Sequence, residues 1–240
     1  LWFEYSGTGG PLLGMTGRIG QFKKPFSYQE YEMSSSALNL IDRTRSNEFL
    51  ESTLRAAAYD QGAMLIADLW EFGAPVMLHA GIFNGNGRNR AADDNSGKEF
   101  VIRADTTPIT GLSVALNIAA NGVGAADTST YATVWGGDVR IEKSGVQIIG
   151  EIFGGDNYAG RLTSKSAPIP SFLGWYGEAI YRCGGWEPAV RVEQLDRNTD
   201  AEDDAELFLT GQIARTFSDN FRWQINVVHT KPQEDGEESD

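Results

Sequence analysis

Residues 112–121, LSVALNIAAN, alternate with a period of two. Leu112, Val114, Leu116, Ile118 and Ala120 fall on one side, and Ser113, Ala115, Asn117, Ala119 and Asn121 on the other. Successive side chains of an extended chain point to opposite faces, so this stretch is a strand with one greasy and one wet face.

Working outward, the pattern recurs along the whole chain. In residues 221–230, Phe221, Trp223, Ile225 and Val227 oppose Arg222, Gln224, Asn226 and Thr230, with His229 on the apolar side. Residues 146–153 set Val146, Ile148 and Ile152 against Gln147 and Glu151, and residues 135–142 set Trp135, Val139 and Ile141 against Asp138, Arg140 and Glu142. Comparable runs occupy 1–5, 13–22, 64–70, 76–83, 100–107, 172–182, 186–195 and 207–215. The spacing predicts about twelve strands, each near the roughly 9–11 residues that cross a bilayer when tilted.

The connections alternate in character. Lys143-Ser144-Gly145, Gly184-Gly185 and Ser218-Asp219-Asn220 supply the residues tight hairpins require, whereas 84–98, 156–170 and 196–205 are long and polar. Short turns at one end and long loops at the other are the pattern of a transmembrane barrel. Residues 23–54 have no clean alternation and read as a loop with short helical turns, and a loop of that length is usually functional. No domain linker interrupts residues 1–240, so one domain is expected.

Composition agrees with a strand-rich, polar chain. It holds 240 residues with 28 Gly, 8 Pro and 11% aromatics, and its mean hydropathy is −0.32. A formal net charge of −13 disfavours nucleic acid as a partner. Cys183 is the single cysteine, which excludes an internal disulfide and a thiolate metal cluster. No run approaches the roughly 20 apolar residues of a membrane-spanning helix. Because Leu1 opens inside an apparent strand, any leader is expected to have been removed.

A soluble β-sandwich also alternates, so the apolar faces must be read in detail. They include Gly17, Ala67, Ala80, Gly137, Gly177, Ala179 and Gly211. A lipid-facing surface needs no interlocking partner, and small residues cost it less than they cost a packed core. Trp2, Trp70, Trp135, Trp175, Trp186 and Trp223, with Tyr131 and Tyr181, fall mostly near strand ends, as interfacial girdles do. The leading fold is therefore an all-β, transmembrane antiparallel β-barrel with one long loop. A soluble β-sandwich binding module for carbohydrate or protein stays open.

Gly20, Gln21, Phe22, Lys23, Lys24, Pro25, Phe26 and Ser27 resemble the Gly-Gln-Phe-Lys-x-Pro-Phe motif of the phosphate-selective porin O and P family of bacterial outer-membrane porins. The likeness continues through Ala80, Gly81, Ile82, Phe83, Asn84 and Gly85, then Asp94, Asn95 and Lys98, then Arg103 and Pro108. It resumes at Gly174, Trp175, Tyr176, Ala179 and Tyr181, and at Glu187, Pro188 and Arg191. The resemblance implies a 16-stranded barrel, commonly a homotrimer, of which this chain would lack terminal strands. It implies an outer membrane with lipid and lipopolysaccharide as surroundings, and passive diffusion of small polar or anionic solutes, phosphate among them. The acidic balance and the polar run 233–240 depart from that pattern.

If the greasy faces meet lipid, the opposite faces line water. The expected pore-lining residues are then Arg18, Asp68, His79, Arg103, Asp105, Asp138, Arg140, Glu142, Glu151, Glu178, Arg182, Arg191, Glu193 and Arg222. Charges of both signs across a wet pore orient polar solutes. Lys23, Lys24, Arg43 and Arg45 flank the loop that the resemblance places in the lumen, and are expected to attract anions at a constriction. The competing reading is a basic loop edge paired with Glu30, Glu32, Asp42 and Glu48. Residues 93–99 carry carboxylates near Gly97 but miss the 12-residue Ca²⁺-loop register, so a solvated hairpin loop is expected there. No Ser sits in a Gly-x-Ser-x-Gly elbow, and the run Gly7-Thr8-Gly9-Gly10 lacks a phosphate-loop ending. Neither an enzyme nor a cofactor or metal is expected.

Overall fold

The structure, a computed structural model, describes residues 2–9, 12–69, 74–89, 97–123, 130–157, 169–202, 204–218 and 221–232. Twelve strands run β1 (Trp2–Gly9), β2 (Leu12–Lys23), β3 (Tyr59–Leu69), β4 (Val76–Phe83), β5 (Glu99–Ile109), β6 (Leu112–Val123), β7 (Thr130–Lys143), β8 (Val146–Asp156), β9 (Ser171–Tyr181), β10 (Trp186–Asp196), β11 (Glu206–Ser218) and β12 (Phe221–Pro232). They form one sheet in sequence order, every neighbouring pair antiparallel; among the described residues no ladder joins β12 back to β1. This is the β-barrel wall expected from the alternation. A sandwich would need two stacked sheets, and that reading is set aside.

The short turns do follow their residues. Lys143 pairs with Val146 across a two-residue turn in which Ser144 and Gly145 adopt φ of 52° and 81°. Positive φ at both central positions is what lets such a turn follow the strand twist. Tight connections at 110–111, 144–145 and 182–185 lie at one end of the sheet, and the longer 84–98, 157–170 and 197–205 lie at the other. Residues 93–96, Trp70, Asp219 and Asn220 fall outside the described residues, as do most of 156–170 and the run 233–240.

Register decides which face each residue takes. On β6, Leu116 is 69% exposed and its neighbour Asn117 5%. The same greasy face continues through Ile102, Trp135, Ile148, Leu209 and Val227, all exposed. Each large aliphatic side chain left in water would forgo about 1.5–3 kcal/mol of burial, so a continuous belt of them demands a non-aqueous neighbour. Trp135, Trp175, Trp186 and Trp223 lie on this face. Trp2 differs: it pairs opposite Gly20, shares the face of Arg18, and holds that guanidinium 4.7 Å above its ring.

Curvature is evident from the contacts of Asn39 in the β2–β3 connection. Its amide donates to Gln147 (3.0 Å) and Glu178 (2.9 Å), while its carbonyl accepts from Gln212 (2.6 Å) and Arg222 (3.2 Å). Those partners stand on β8, β9, β11 and β12. In a flat sheet β8 and β12 would be about 19 Å apart, too far for one asparagine to bridge. The sheet therefore wraps around the connection, polar face inward.

Candidate functional site

The inward segment runs from residue 24 to residue 58, later in starting and ending than the 23–54 expected, because β2 continues to Lys23 and β3 begins at Tyr59. Residues 59–63, Tyr-Asp-Gln-Gly-Ala, carry no apolar alternation to mark them as strand. Lys24 N donates to Ala58 O at 2.8 Å and closes the base of the segment. Within it lie a π-helical turn at Tyr28–Glu32, a 3-10 turn at Ser35–Ala37, helix α1 at Arg45–Glu48 and a second π-helical turn at Phe49–Thr53. Thr44 caps α1, its hydroxyl accepting from Asn47 N at 3.1 Å.

A hydrophobic core holds the segment to the wall. Phe26, Leu40, Phe49, Leu50 and Leu54 pack against inward-facing Ile149, Phe153, Phe172, Ile180 and Leu195. Phe26 stacks on Phe153 with ring centres 6.3 Å apart, and Phe49 meets Phe172 edge-on at 5.3 Å. This face was expected to be wet throughout; in β8 to β11 much of it is dry because the segment lies on it.

Polar anchors surround that core. The Glu151 carboxylate accepts from Tyr28 N (2.5 Å), Tyr176 Oη (2.6 Å), Ser27 Oγ (3.3 Å), Gln29 N and Asn47 Nδ2 (both 3.4 Å). Arg191 donates to Asp42 O at 2.9 Å and Arg43 O at 3.3 Å, and lies within 3.8 Å of Glu178 and 3.5 Å of Glu193. Glu193 in turn accepts from Arg45 N at 2.7 Å. Buried charges persist only when partners satisfy them, and here the segment's backbone supplies many of the partners, beside side chains of segment and wall.

The four cations assigned to a constriction take separate places. Lys24 is fully buried, 2.5 Å from Glu99 and 3.8 Å from Asp60. Arg43 pairs with Glu30 at 2.9 Å and donates to Gln29 O. Arg45 pairs with Glu48 at 2.8 Å. Lys23 donates to Met33 O at 2.7 Å and keeps part of its surface open. The segment's own acids thus neutralise Arg43 and Arg45, and acids of β3 and β5 neutralise Lys24.

Register places the expected pore-lining residues on the concave face, in two groups. His79, Arg103, Asp138, Glu151, Glu178, Arg191 and Glu193 are buried beneath or beside the segment. Arg103 forms a two-pronged pair with Asp138, 2.7 and 3.2 Å, and reaches within 3.9 Å of Glu32. The second group stays more open. Arg18 pairs with Glu4 at 2.7 Å, and Arg140 donates to Ser113 at 3.2 Å with its guanidinium 4.8 Å above Tyr28. Asp68 lies opposite Gly14 and Met77, and Glu142 accepts from Gln147. Arg182 and Arg222 both approach Glu187, at 3.6 and 3.3 Å. These more open residues stand on β2, β3, β7 and β12 and just beyond β9, so the open part of the concavity is bordered at several points around the sheet.

One chain of contacts crosses from segment to wall. Burial pushes the Tyr31 hydroxyl up to about 12, and this hydroxyl lies 3.0 Å from His79 Nδ1. On its other side His79 Nε2 lies 3.0 Å from Asp105 Oδ2. Burial also lifts the Glu30 carboxyl to about 7 against the pull of Arg43. Tyr31 and Asn39 had no signal in the sequence that could place them at the site, since period-two alternation assigns faces only to strand residues. Among the described residues no group of three or more His, Cys, Asp or Glu is placed to hold a metal.

No family model matches the chain, and no curated protein matches it. A solved porin structure, refined at 1.8 Å, is similar in fold: the TM-score is 0.54 at 14% identity, over 95% of this chain and 85% of that one. The chain has the porin fold.

Proposed function

We propose that this chain is an outer-membrane diffusion channel for small polar or anionic solutes, narrowed by the segment 24–58. The observation that carries the reading is inversion: the apolar strand faces look outward and exposed, while charged faces enclose a segment that fills only part of the concavity. Hydrocarbon outside and water inside satisfy both faces at once. The motifs at 20–27 and 174–191 support a place near the phosphate-selective porins and their trimeric assembly.

Lys23 and Arg140 are the cations through which an anion preference would act, because neither pairs with a carboxylate among the described residues. Lys24, Arg43 and Arg45 are neutralised by their partners and would contribute little. Planar-bilayer recording tests the function: discrete, ohmic conductance steps are expected on insertion. A chain that stays soluble without detergent and never conducts would end the proposal.

A further inference from the structure

Arg215 stands on the greasy face of β11, three residues from its end at Ser218, where the short turn to β12 begins. Its cross-strand partner on β10 is Trp186 and on β12 is Trp223. The guanidinium lies 4.7 Å from the ring centre of Trp186 and 4.7 Å from that of Phe217, and Trp186 meets Trp223 edge-on at 6.0 Å. Cation–π contact holds the charge in place but does not neutralise it. Among the described residues no carboxylate pairs with Arg215 and no acceptor receives its hydrogen bonds, unlike the inward Arg103, Arg191 and Arg222.

A guanidinium facing hydrocarbon is costly unless an anion meets it, and the cost falls toward the interface. The surrounding charge says what kind of anion fits. In a chain of net charge −13, the outward positions at the described short-turn ends carry Lys143 and Arg215 and no carboxylate. The belt of Ile213, Leu209 and Ile225 beside it is a surface for acyl chains. A ligand that joins a phosphate to apolar chains meets both features.

We propose that Arg215, between Trp186 and Trp223, binds the phosphate of a glycerophospholipid in the leaflet that meets the short-turn rim. The fork of donors matches phosphate oxygens, the indoles sit at headgroup level, and the acyl chains lie along β11 and β12. This inference rests on the membrane-barrel reading.

Native mass spectrometry of the detergent-solubilised protein tests it, with dimyristoyl phosphatidylglycerol and dimyristoylglycerol as paired probes that differ in the phosphate. The wild type is expected to retain the phospholipid about ten-fold better than Arg215→Gln, with Arg215→Lys between them, and to hold dimyristoylglycerol equally in all three. Trp186→Leu, which keeps the charge and removes the stacking, is expected to weaken phospholipid retention too and serves if Arg215→Gln does not fold. Equal phospholipid retention by wild type and Arg215→Gln overturns the site. So does loss of oligomer mass in Arg215→Gln with lipid retention intact, which would assign the cation to a contact between copies. Conductance of the same preparation keeps the two readings apart: a conducting protein without phospholipid preference refutes the site alone.

Discussion

Lys24 Nζ lies 2.5 Å from Glu99 Oε2 with both side chains fully buried, an ion pair that ties the root of the inward segment to the first residue of β5. Removing one partner of such a pair strands the other charge and costs about 3–5 kcal/mol. Lys24→Ala is therefore expected to lower the urea midpoint of the refolded protein and leave its reversal potential in a KCl gradient unchanged. Lys23→Ala is expected to do the opposite, shifting the reversal potential toward cation preference with stability near wild type. A selectivity change in Lys24→Ala at full stability would show its ammonium to be in the water path.

Glu151 gathers both backbone and side-chain donors of the segment. Hydrogen bonds to a charged group contribute about 1.5–3 kcal/mol each, so Tyr176→Phe is expected to loosen the segment moderately and Glu151→Ala to release it. Single-channel records should show larger and noisier openings in Glu151→Ala, with limited proteolysis cutting within 24–58. Quiet openings of wild-type size would remove Glu151 from that role.

Glu30 titrates within reach of experiment. Burial raises its folded value to about 7, above the roughly 4.3 of an unfolded glutamate. A raised value means the contribution to stability is fully present below the unfolded value and is lost as pH rises through about 7. Acidification also takes the negative partner from Arg43, so the segment becomes more positive. Anion preference is expected to rise as pH falls from about 8 to about 5.5, across the shift predicted by linkage. Glu30→Gln should flatten that dependence in reversal-potential measurements; an undiminished slope in Glu30→Gln would place the titrating group elsewhere.

Leu116 stands 69% exposed on the greasy face of β6. An arginine on a lipid face costs about 2–4 kcal/mol at mid-depth, so Leu116→Arg is expected to cut the yield of heat-modifiable, folded protein in liposomes. The neighbouring Asn117→Ser, on the concave face, should fold as wild type. Equal folding of Leu116→Arg in lipid would argue that this face meets water.

Strand faces were legible because period two is local: Leu116 and Asn117 announce their sides without reference to the rest of the chain. What covers a face is not local. Ile149 and Phe153 share a side with Glu151 and read as lumen residues, yet they are fully buried because Phe26 and Leu40 lie over them. Lys24 likewise reads as a free cation beside Lys23; only the return of the chain at Asp60 and Glu99 consumes its charge. Asn39 sits in a stretch without periodicity, and its hub role depends on residues up to 183 positions away.

That separation has a consequence for assembly. Phe26, Leu40, Phe49 and Leu50 leave the ribosome long before Phe172, Ile180 and Leu195, the residues that finally cover them. Until those later strands arrive, the nascent chain carries a sticky surface with no place to go, in addition to the exposed apolar belt of its strands. The interior thus stays uncovered until the late strands form, and the last hairpins to join act as the latch on everything synthesised before them.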